Sequence, residues 1–379
     1  RTGCIRTDDG DPADLTIIVT RAVINNGRQF FCMIRSRLLD KYRSGVSAPW
    51  NLPQQADEIV LSYMERFTAE AITPGMLLAE LRGAGRQLFD AAPKIFRDAL
   101  WDLIDAGVKP RTIAIVTEEP FMPWELMIPY RTKDGRRQQR EALGAEFLVG
   151  RWPSPDGVSP TPFIDLVDSF VIAPVYTPPL SFAGAEAAMV ADCVRGDIIA
   201  PADFDGISEA FASGGRTLVH FVCHGEDEET QAEAIRGPDT RVRNRVQVIR
   251  LEKNQKLNSS QILGMDNLQK FFDEKKPLVF LNACEIGRTT PALVGVGGFA
   301  KSFIEIGASA VIAPLWAVKD QFAHEVAKTF YSRLSAKRDT PFAEIIRDLR
   351  RRAYEPGQAE DTFAAYCFYG DPAACCRPT

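Results

Sequence analysis

The chain has 379 residues, of which 45% are apolar and 25% charged, with a formal net charge of −5. This balance is ordinary for a globular protein and excludes a basic chain that binds nucleic acid through its overall charge. No apolar run approaches the roughly 18 residues of a membrane span, and the first ten residues are polar, so we expect no membrane anchor and no signal peptide. Eight cysteines without paired spacing predict reduced thiols in a cytoplasmic protein.

The N-terminal part combines a hairpin, a helical stretch and a strand. Two β-rich runs flank an Asn-Asn-Gly sequence at 25–27, which is typical of a tight hairpin turn. Leucine, phenylalanine and tryptophan recur at three- and four-residue spacing over 75–107 and predict helix. Residues 111–119 then read as a strand. The polar, basic segment 131–144 is predicted to be a surface loop or a short helix.

Proline, glycine and serine accumulate over 152–162, and we place a domain boundary there, between a unit at 1–152 and a second at 163–379. Beyond it, strands alternate with helices. Strands are predicted at 168–176, 216–223, 277–283 and 308–316, and helices at 184–194, 204–213, 259–272, 297–307, 324–334 and 341–352. The predicted fold class is therefore α/β, with a parallel-rich sheet sandwiched by helices.

Two of these strands end in reactive residues. One runs into His224 and Gly225, and the other into Cys284. Ligands of open α/β sheets bind at the carboxyl ends of the strands, so neighbouring parallel strands would bring an imidazole and a thiol to one edge. A thiolate is a competent nucleophile and an imidazole can take its proton. The backbone N–H groups of Gly225 and Cys284 would face a developing oxyanion.

Each of these residues also has a simpler interpretation. A lone cysteine at a strand end is often a small buried hydrophobe. We assign His220 and Cys223 to the core, and His324 to a surface or packing position on a helix. His220, Cys223 and His224 could suggest a metal cluster, but alternation along the strand separates their side chains and no fourth ligand is suitably spaced, so we expect no metal site and no cofactor.

Three segments together resemble the CHAT domain, a caspase-like peptidase domain of the separase and caspase clan. They read HFVCHG at 220–225, FLNACEIG at 280–287, and GGFAKSFIEIGASAVIAPLWAVKD at 297–320. Shorter segments at 121–127, 147–152 and 363–372 are also similar, so the resemblance covers about 75–375.

The resemblance implies that His224 is a general base and Cys284 a nucleophile, with Gly225 and Cys284 as oxyanion donors. It implies a caspase-like α/β sandwich, preceded at 1–152 by an inactive, pseudo-caspase-like α/β unit. Trp124 and Glu125 would then be structural and hold the two halves together. Cys223 departs from the small residue, often alanine or glycine, that usually precedes the His-Gly pair.

Two further hypotheses concern specificity and control. Asp320 stands at an acidic position that, in relatives, helps select a basic residue before the cut; the alternative is that it caps the helix that it precedes. The segment 226–245 is acidic and then basic. It is either a solvated loop or an activation loop cut at one of its arginines, which are Arg236, Arg241, Arg243 and Arg245.

The leading hypothesis is a regulated cysteine endopeptidase that cleaves a partner protein and has an activating partner or ligand. The resemblance alone suggests bacterial stress or antiviral signalling. We expect no direct contact with nucleic acid and none with a membrane. The alternatives are a non-catalytic caspase-like interaction or scaffold module, and another thiol chemistry such as acyl transfer by the same dyad.

Overall fold

The computed structural model describes residues 13–22, 29–52, 56–69, 72–119, 121–153, 159–230, 244–284 and 298–377. Their strands are β1 (Leu15–Arg21), β2 (Gln29–Arg35), β3 (Val46–Asn51), β4 (Thr112–Thr117), β5 (Tyr130–Lys133), β6 (Arg136–Gln139), β7 (Leu148–Trp152), β8 (Phe163–Ile164), β9 (Ser169–Ile172), β10 (Gly196–Ile199), β11 (Leu218–Thr230), β12 (Asn244–Arg250), β13 (Lys256–Asn258), β14 (Leu278–Cys284), β15 (Ala310–Pro314), β16 (Tyr366–Tyr369) and β17 (Cys375–Cys376). Their helices are α1 (Asp40–Arg43), α2 (Ala56–Phe67), α3 (Pro74–Ala91), α4 (Lys94–Asp105), α5 (Leu143–Glu146), α6 (Ala183–Cys193), α7 (Phe204–Ala212), α8 (Ser259–Gly264), α9 (Asp266–Lys275), α10 (Phe299–Glu305), α11 (Asp320–Ala336), α12 (Phe342–Arg352) and α13 (Asp361–Ala365), with 3₁₀ turns at Trp124–Leu126 and Glu252–Asn254.

One large sheet runs through both halves of the chain. Its strands lie in the order β10-β9-β11-β14-β15-β16-β7-β4-β1-β2-β3. The strands from β10 to β15 are parallel to one another, and so are β16, β7, β4 and β1. Because β16 is antiparallel to β15, the carboxyl ends of the two parallel sets lie at opposite edges of the sheet.

The central strands are apolar throughout because helices cover both faces of the sheet. On one face, Phe280 of β14 packs against Tyr331 of α11, with ring centroids 5.9 Å apart. On the other, Phe221 of β11 meets Phe303 of α10 at 5.7 Å. Strands buried on both sides read as continuous apolar runs, which is the pattern from which the sequence predicted them. The mixed α/β class with a mostly parallel sheet between helices is confirmed.

A buried ion pair lies at the junction of the two halves, next to β7 and β16. Arg151 and Glu125 are each 1% exposed, and the Arg151 Nε donates to Glu125 Oε1 at 2.7 Å beside a second, shorter contact. Arg350 of α12 reaches the same place and donates to the carbonyls of Gly144, at 3.0 Å, and Tyr366. Burial opposes ionisation of Glu125, but the two arginines lower its pKa to about 2. The contacts agree with the structural role expected for Glu125.

The N-terminal half follows its sequence pattern closely. Strands β1 and β2 pair antiparallel as predicted, although the turn at 25–27 lies outside the described residues. Trp124 is fully buried between Trp50 and Phe96, with ring centroids 5.6 and 5.7 Å away, which agrees with its expected structural role.

The structure differs from the sequence predictions in three segments. Most of 131–144 is not a loop, since β5 and β6 form an antiparallel hairpin around an Asp-Gly turn with φ of 52° and 70°, ahead of the short helix α5. The helix predicted at 259–272 is two helices, α8 and α9, separated at Met265. Part of 226–245 is strand, since β11 continues to Thr230 and pairs with β12. Arg245 lies in β12, while Arg236, Arg241 and Arg243 lie outside the described residues.

The proposed division at 152–162 stays a prediction. Strands from both sides of it contribute to one sheet, and residues 154–158 lie outside the described part. In the described ranges, none of the helices combines the length and apolar character that crossing a bilayer requires.

Candidate active site

His224 and Cys284 lie side by side at the carboxyl ends of two neighbouring parallel strands. In the pairing of β11 with β14, seven consecutive residue pairs are in register, and the last of them joins His224 to Cys284. Paired residues of adjacent strands are roughly 5 Å apart and project to the same face. The structure thus brings the two backbone positions together as the sequence predicted, and His224 is 2% exposed.

Tyr176 holds His224 in place from the loop that follows β9. The two rings lie 4.3 Å apart between centroids, at an interplanar angle of 46°. The Tyr176 hydroxyl accepts the backbone N–H of His224 at 3.1 Å and donates to the carbonyl of Arg250 at 2.7 Å. One side chain therefore fixes both the backbone and the ring of His224. Tyr176 is the last residue of the predicted strand 168–176, and no signal in the sequence marked it as part of the site.

Gly225 follows His224 within the same strand, where β11 changes its partner. The ladder with β14 ends at His224, and the ladder with β12 begins at Gly225, opposite Ile249. Backbone N–H groups of a strand alternate in direction, so the Gly225 N–H points away from Tyr176. Cys223 is fully buried as predicted, and burial raises the pKa of its thiol well above the usual value.

A buried polar cluster lies directly beneath the His224–Cys284 pair. Its centre is Glu186 of α6, which is 1% exposed. The Oε1 atom of Glu186 contacts His220 Nε2 at 2.8 Å and accepts a hydrogen bond from Asn282 Nδ2 at 2.6 Å. The Tyr331 hydroxyl lies 2.9 Å from His220 Nδ1. His220 and Asn282 belong to β11 and β14, and both project to the same face as His224.

Glu186 is ionised in this setting. Burial opposes its charge, but hydrogen bonds from His220 and Asn282, together with the nearby imidazole of His324, outweigh burial and keep its pKa below the usual value. His324 Nδ1 lies 3.5 Å from the second carboxylate oxygen, and this neighbouring carboxylate raises the pKa of His324. His220 is fully buried as predicted, yet it is a hydrogen-bonded member of this cluster.

Asp320 lies at the same edge of the sheet, as the first residue of α11. Its carboxylate does not cap its own helix; Oδ2 accepts the backbone N–H of Phe182, at the start of α6, at 3.2 Å. One turn further along α11, His324 stacks on the Phe182 ring, with centroids 5.5 Å apart. The alternative of an N-cap for α11 was therefore wrong, and Asp320 instead links α11 to α6.

Within the described ranges, no group of three or more His, Cys, Asp or Glu side chains is arranged to hold a metal ion. The chemistry of the arrangement is that of an imidazole and a thiol on adjacent strands.

No curated protein matches the chain. Among solved structures, the chain is similar to the Arg-specific cysteine proteinase gingipain R, with 14% identity, coverage of 85% of this chain and 76% of that one, and a TM-score of 0.43. It is also similar to separase in the Saccharomyces cerevisiae separase–securin complex, with 10% identity and a TM-score of 0.50 over 95% of this chain and 30% of that one. The second likeness concerns the fold and agrees with the predicted caspase-like architecture.

The model of the CHAT domain matches residues 123–369. This range includes His224, Cys284 and Asp320, and it begins and ends within the 75–375 expected from the motifs. Because it covers more than half of the sequence, the chain belongs to the CHAT domain family.

Proposed function

We propose that this protein is a cysteine endopeptidase in which Cys284 is the nucleophile and His224 the general base. The observation that carries the proposal is the register of β11 with β14, which pairs these two residues at the carboxyl ends of adjacent parallel strands. Membership of the CHAT family and the caspase-like fold support peptidase chemistry. A scaffold role would not need a base held by Tyr176, whereas acyl transfer would use the same dyad and is separated from proteolysis by the experiment below.

The proposed reaction begins when His224 removes the thiol proton of Cys284 and the thiolate sulfur attacks the scissile carbonyl carbon. The carbonyl π electrons move to oxygen, and the resulting oxyanion is bound by the N–H groups of Gly225 and Cys284. When the carbonyl re-forms, the C–N bond breaks and the amine leaves with the proton from the imidazolium. Water, deprotonated by His224, then hydrolyses the thioester, which releases the acid and returns the proton to Cys284.

Asp320 is the proposed specificity residue, and it would favour substrates with arginine or lysine before the cut. Its position at the edge of the sheet that carries the dyad supports this assignment. A carboxylate facing a basic side chain makes a charge-assisted hydrogen bond, which selects strongly against neutral residues.

Regulation by an activating partner or ligand is also part of the proposal. His224 is 2% exposed, so substrate reaches the imidazole only after a local rearrangement, and binding of an activator would supply it. We place the protein in the cytoplasm, in bacterial stress or antiviral signalling, with a protein substrate. A cut at an arginine of 226–245 is one candidate route to activation.

New protein N-termini provide the test of peptidase activity. Wild-type protein and the Cys284→Ala and Cys193→Ala variants are incubated with lysate of the native host and the products of neighbouring genes. Cys193 is an exposed cysteine at the end of α6 and serves as the matched control. N-termini made by wild type and Cys193→Ala, but absent with Cys284→Ala, are the expected result. Identical N-termini with all three proteins would contradict the proposal.

The Asp320→Asn variant tests specificity. Its amide oxygen still accepts the Phe182 N–H, so the link between α6 and α11 is retained while the charge is removed. We expect the preference for arginine and lysine to fall at least tenfold in kcat/KM against matched neutral peptides. An unchanged preference would exclude Asp320 from the pocket.

A further inference from the structure

We propose that Glu186 is a positioning residue of the dyad, because its buried carboxylate ties the strand of His224 to the strand of Cys284. The catalytic meaning of this inference rests on the proposed function. The geometric part concerns the reactivity of Cys284 and can be tested without any peptidase assay.

The tie is made one layer below the dyad. A single oxygen of Glu186 contacts His220 Nε2 at 2.8 Å and Asn282 Nδ2 at 2.6 Å. His220 lies four residues before His224 on β11, and Asn282 lies two residues before Cys284 on β14. At about 3.3 Å per residue, these separations are roughly 13 and 7 Å along the strands. His220 and Asn282 both project to the face of the sheet on which α6 and α11 pack.

The hydrogen bonds of the cluster specify one arrangement of the two strands. Asn282 donates both of its amide hydrogens, to Glu186 and to the carbonyl of Ala323 at 3.1 Å, and its oxygen accepts from Tyr366. A shift of either strand by one residue would turn an apolar side chain toward Glu186 and leave its carboxylate buried with fewer donors.

A buried charge is a weak source of stability, because well-packed apolar side chains of similar volume are often at least as stable. What this cluster supplies is a fixed geometry. Both strands that carry the dyad, together with helix α11 through His324, meet at one carboxylate. The spacing of His224 and Cys284 is therefore set from below, while Tyr176 holds His224 at the level of the dyad.

The charge of Glu186 gives the tie a second, measurable consequence. The groups near its carboxylate include His220 from β11, Asn282 from β14, and His324 and Tyr331 from α11. Asp320 and Lys328 lie one turn before and one turn after His324 on the same helix. At roughly 10 Å and an effective dielectric constant of about 20, one negative charge changes a neighbouring pKa by about one unit. It favours the imidazolium of His224 and disfavours the thiolate of Cys284.

The Glu186→Gln variant removes the charge and keeps the shape. Iodoacetamide labelling of the full chain is followed from pH 4 to 10, with peptide mass spectrometry to separate Cys284 from the other cysteines. We expect both limbs of the Cys284 rate profile to move to lower pH, by up to about one unit, and kcat to fall at least tenfold with KM little changed. Glu209→Gln, an exposed glutamate of α7, is the matched control and should leave the profile unchanged.

The Asn282→Ala variant separates the effect of the hydrogen bond between Glu186 and β14 from the effect of the Glu186 charge. It also tests the positioning role if Glu186→Gln does not fold. It removes the bond to β14 but leaves the carboxylate in place. The maximal labelling rate of Cys284 should fall at least fivefold, with no shift of the limbs along the pH axis. If the folded variants keep the wild-type labelling profile and lose only thermal stability, Glu186 is a purely structural residue and the inference is wrong. If Cys284→Ala abolishes no cleavage, the proposed function fails, while the labelling profile still tests Glu186.

Discussion

Replacement of Arg151 by methionine should destabilise the fold strongly, because it leaves the Glu125 carboxylate buried at 1% exposure. Arg151 provides two hydrogen bonds to this carboxylate, and without it Arg350 remains as a nearby positive charge. Removal of one partner from a buried ion pair costs about 3–5 kcal/mol. The expected loss in the free energy of unfolding at pH 7 is therefore about 3–5 kcal/mol, measured by urea denaturation at 25 °C.

The pH dependence provides the decisive check. In the wild type, the pKa of Glu125 is about 2, so the contribution of the pair is complete above the unfolded value near 4.5 and is lost as the pH falls toward 2. In Arg151→Met, burial raises the pKa of Glu125, so the penalty is absent below that unfolded value and grows as the pH rises. The difference between the two proteins should thus be large at pH 7 and small at pH 3. A Glu125→Leu/Arg151→Met double variant should recover most of the loss. A loss below about 1 kcal/mol at pH 7, or an equal loss at both pH values, would refute this reasoning.

Three further predictions concern the dyad, the junction and a titrating carboxyl. Tyr176→Phe keeps the ring beside His224 but loses two hydrogen bonds. Its free energy of unfolding should be about 1–3 kcal/mol lower than that of the wild type, and its kcat at least tenfold lower. An unchanged kcat would show that Tyr176 does not act in the site. Gly150→Ala places a Cβ 2.3 Å from a backbone carbonyl oxygen just after β16 and should abolish folding as judged by circular dichroism, whereas Gly83→Ala, with no atom within 4 Å, should fold normally. Burial and a hydrogen bond that protonated Glu360 donates to the Asp361 carboxylate raise the pKa of Glu360 to about 7, so its contribution to stability is complete below the unfolded value near 4.5 and is lost as the pH rises to 7. Glu360→Gln should flatten the change of the urea midpoint over that range, and an unaltered slope would contradict this assignment.

The sequence predicted the parts of the fold that are set by local pattern. Apolar runs marked β11, β14 and β15, and the periodicity of 75–107 marked helices α3 and α4. It did not predict that β16 enters the sheet antiparallel between the two halves, because strand order and direction depend on tertiary packing and not on local pattern. The hairpin at 131–144 was missed for another reason. Both of its strands are mostly polar, β6 is exposed along its whole length and β5 over its second half, so they lack the alternation that identifies a half-buried strand.

The sequence predicted the two reactive residues of the candidate site but not the residues that position them. His224 and Cys284 were identified because each ends an apolar run, which is a local signal. Glu186 was missed, although it is an acidic residue flanked on both sides by alanine in α6, and a charge in that position calls for buried partners. Its partners come from β11, β14 and α11, and no spacing in one sequence shows that these elements meet.

The reversal of strand direction at β16 has a consequence for how the two halves can communicate. Strand ends of the C-terminal half carry the dyad, whereas the loops of the N-terminal half that follow β4 and β7 begin at the opposite edge of the sheet. A molecule bound among the latter loops would be too distant to obstruct substrate. Its influence would have to pass through the body of the sheet as a change in strand spacing, across the Arg151–Glu125 contact that joins the two directions.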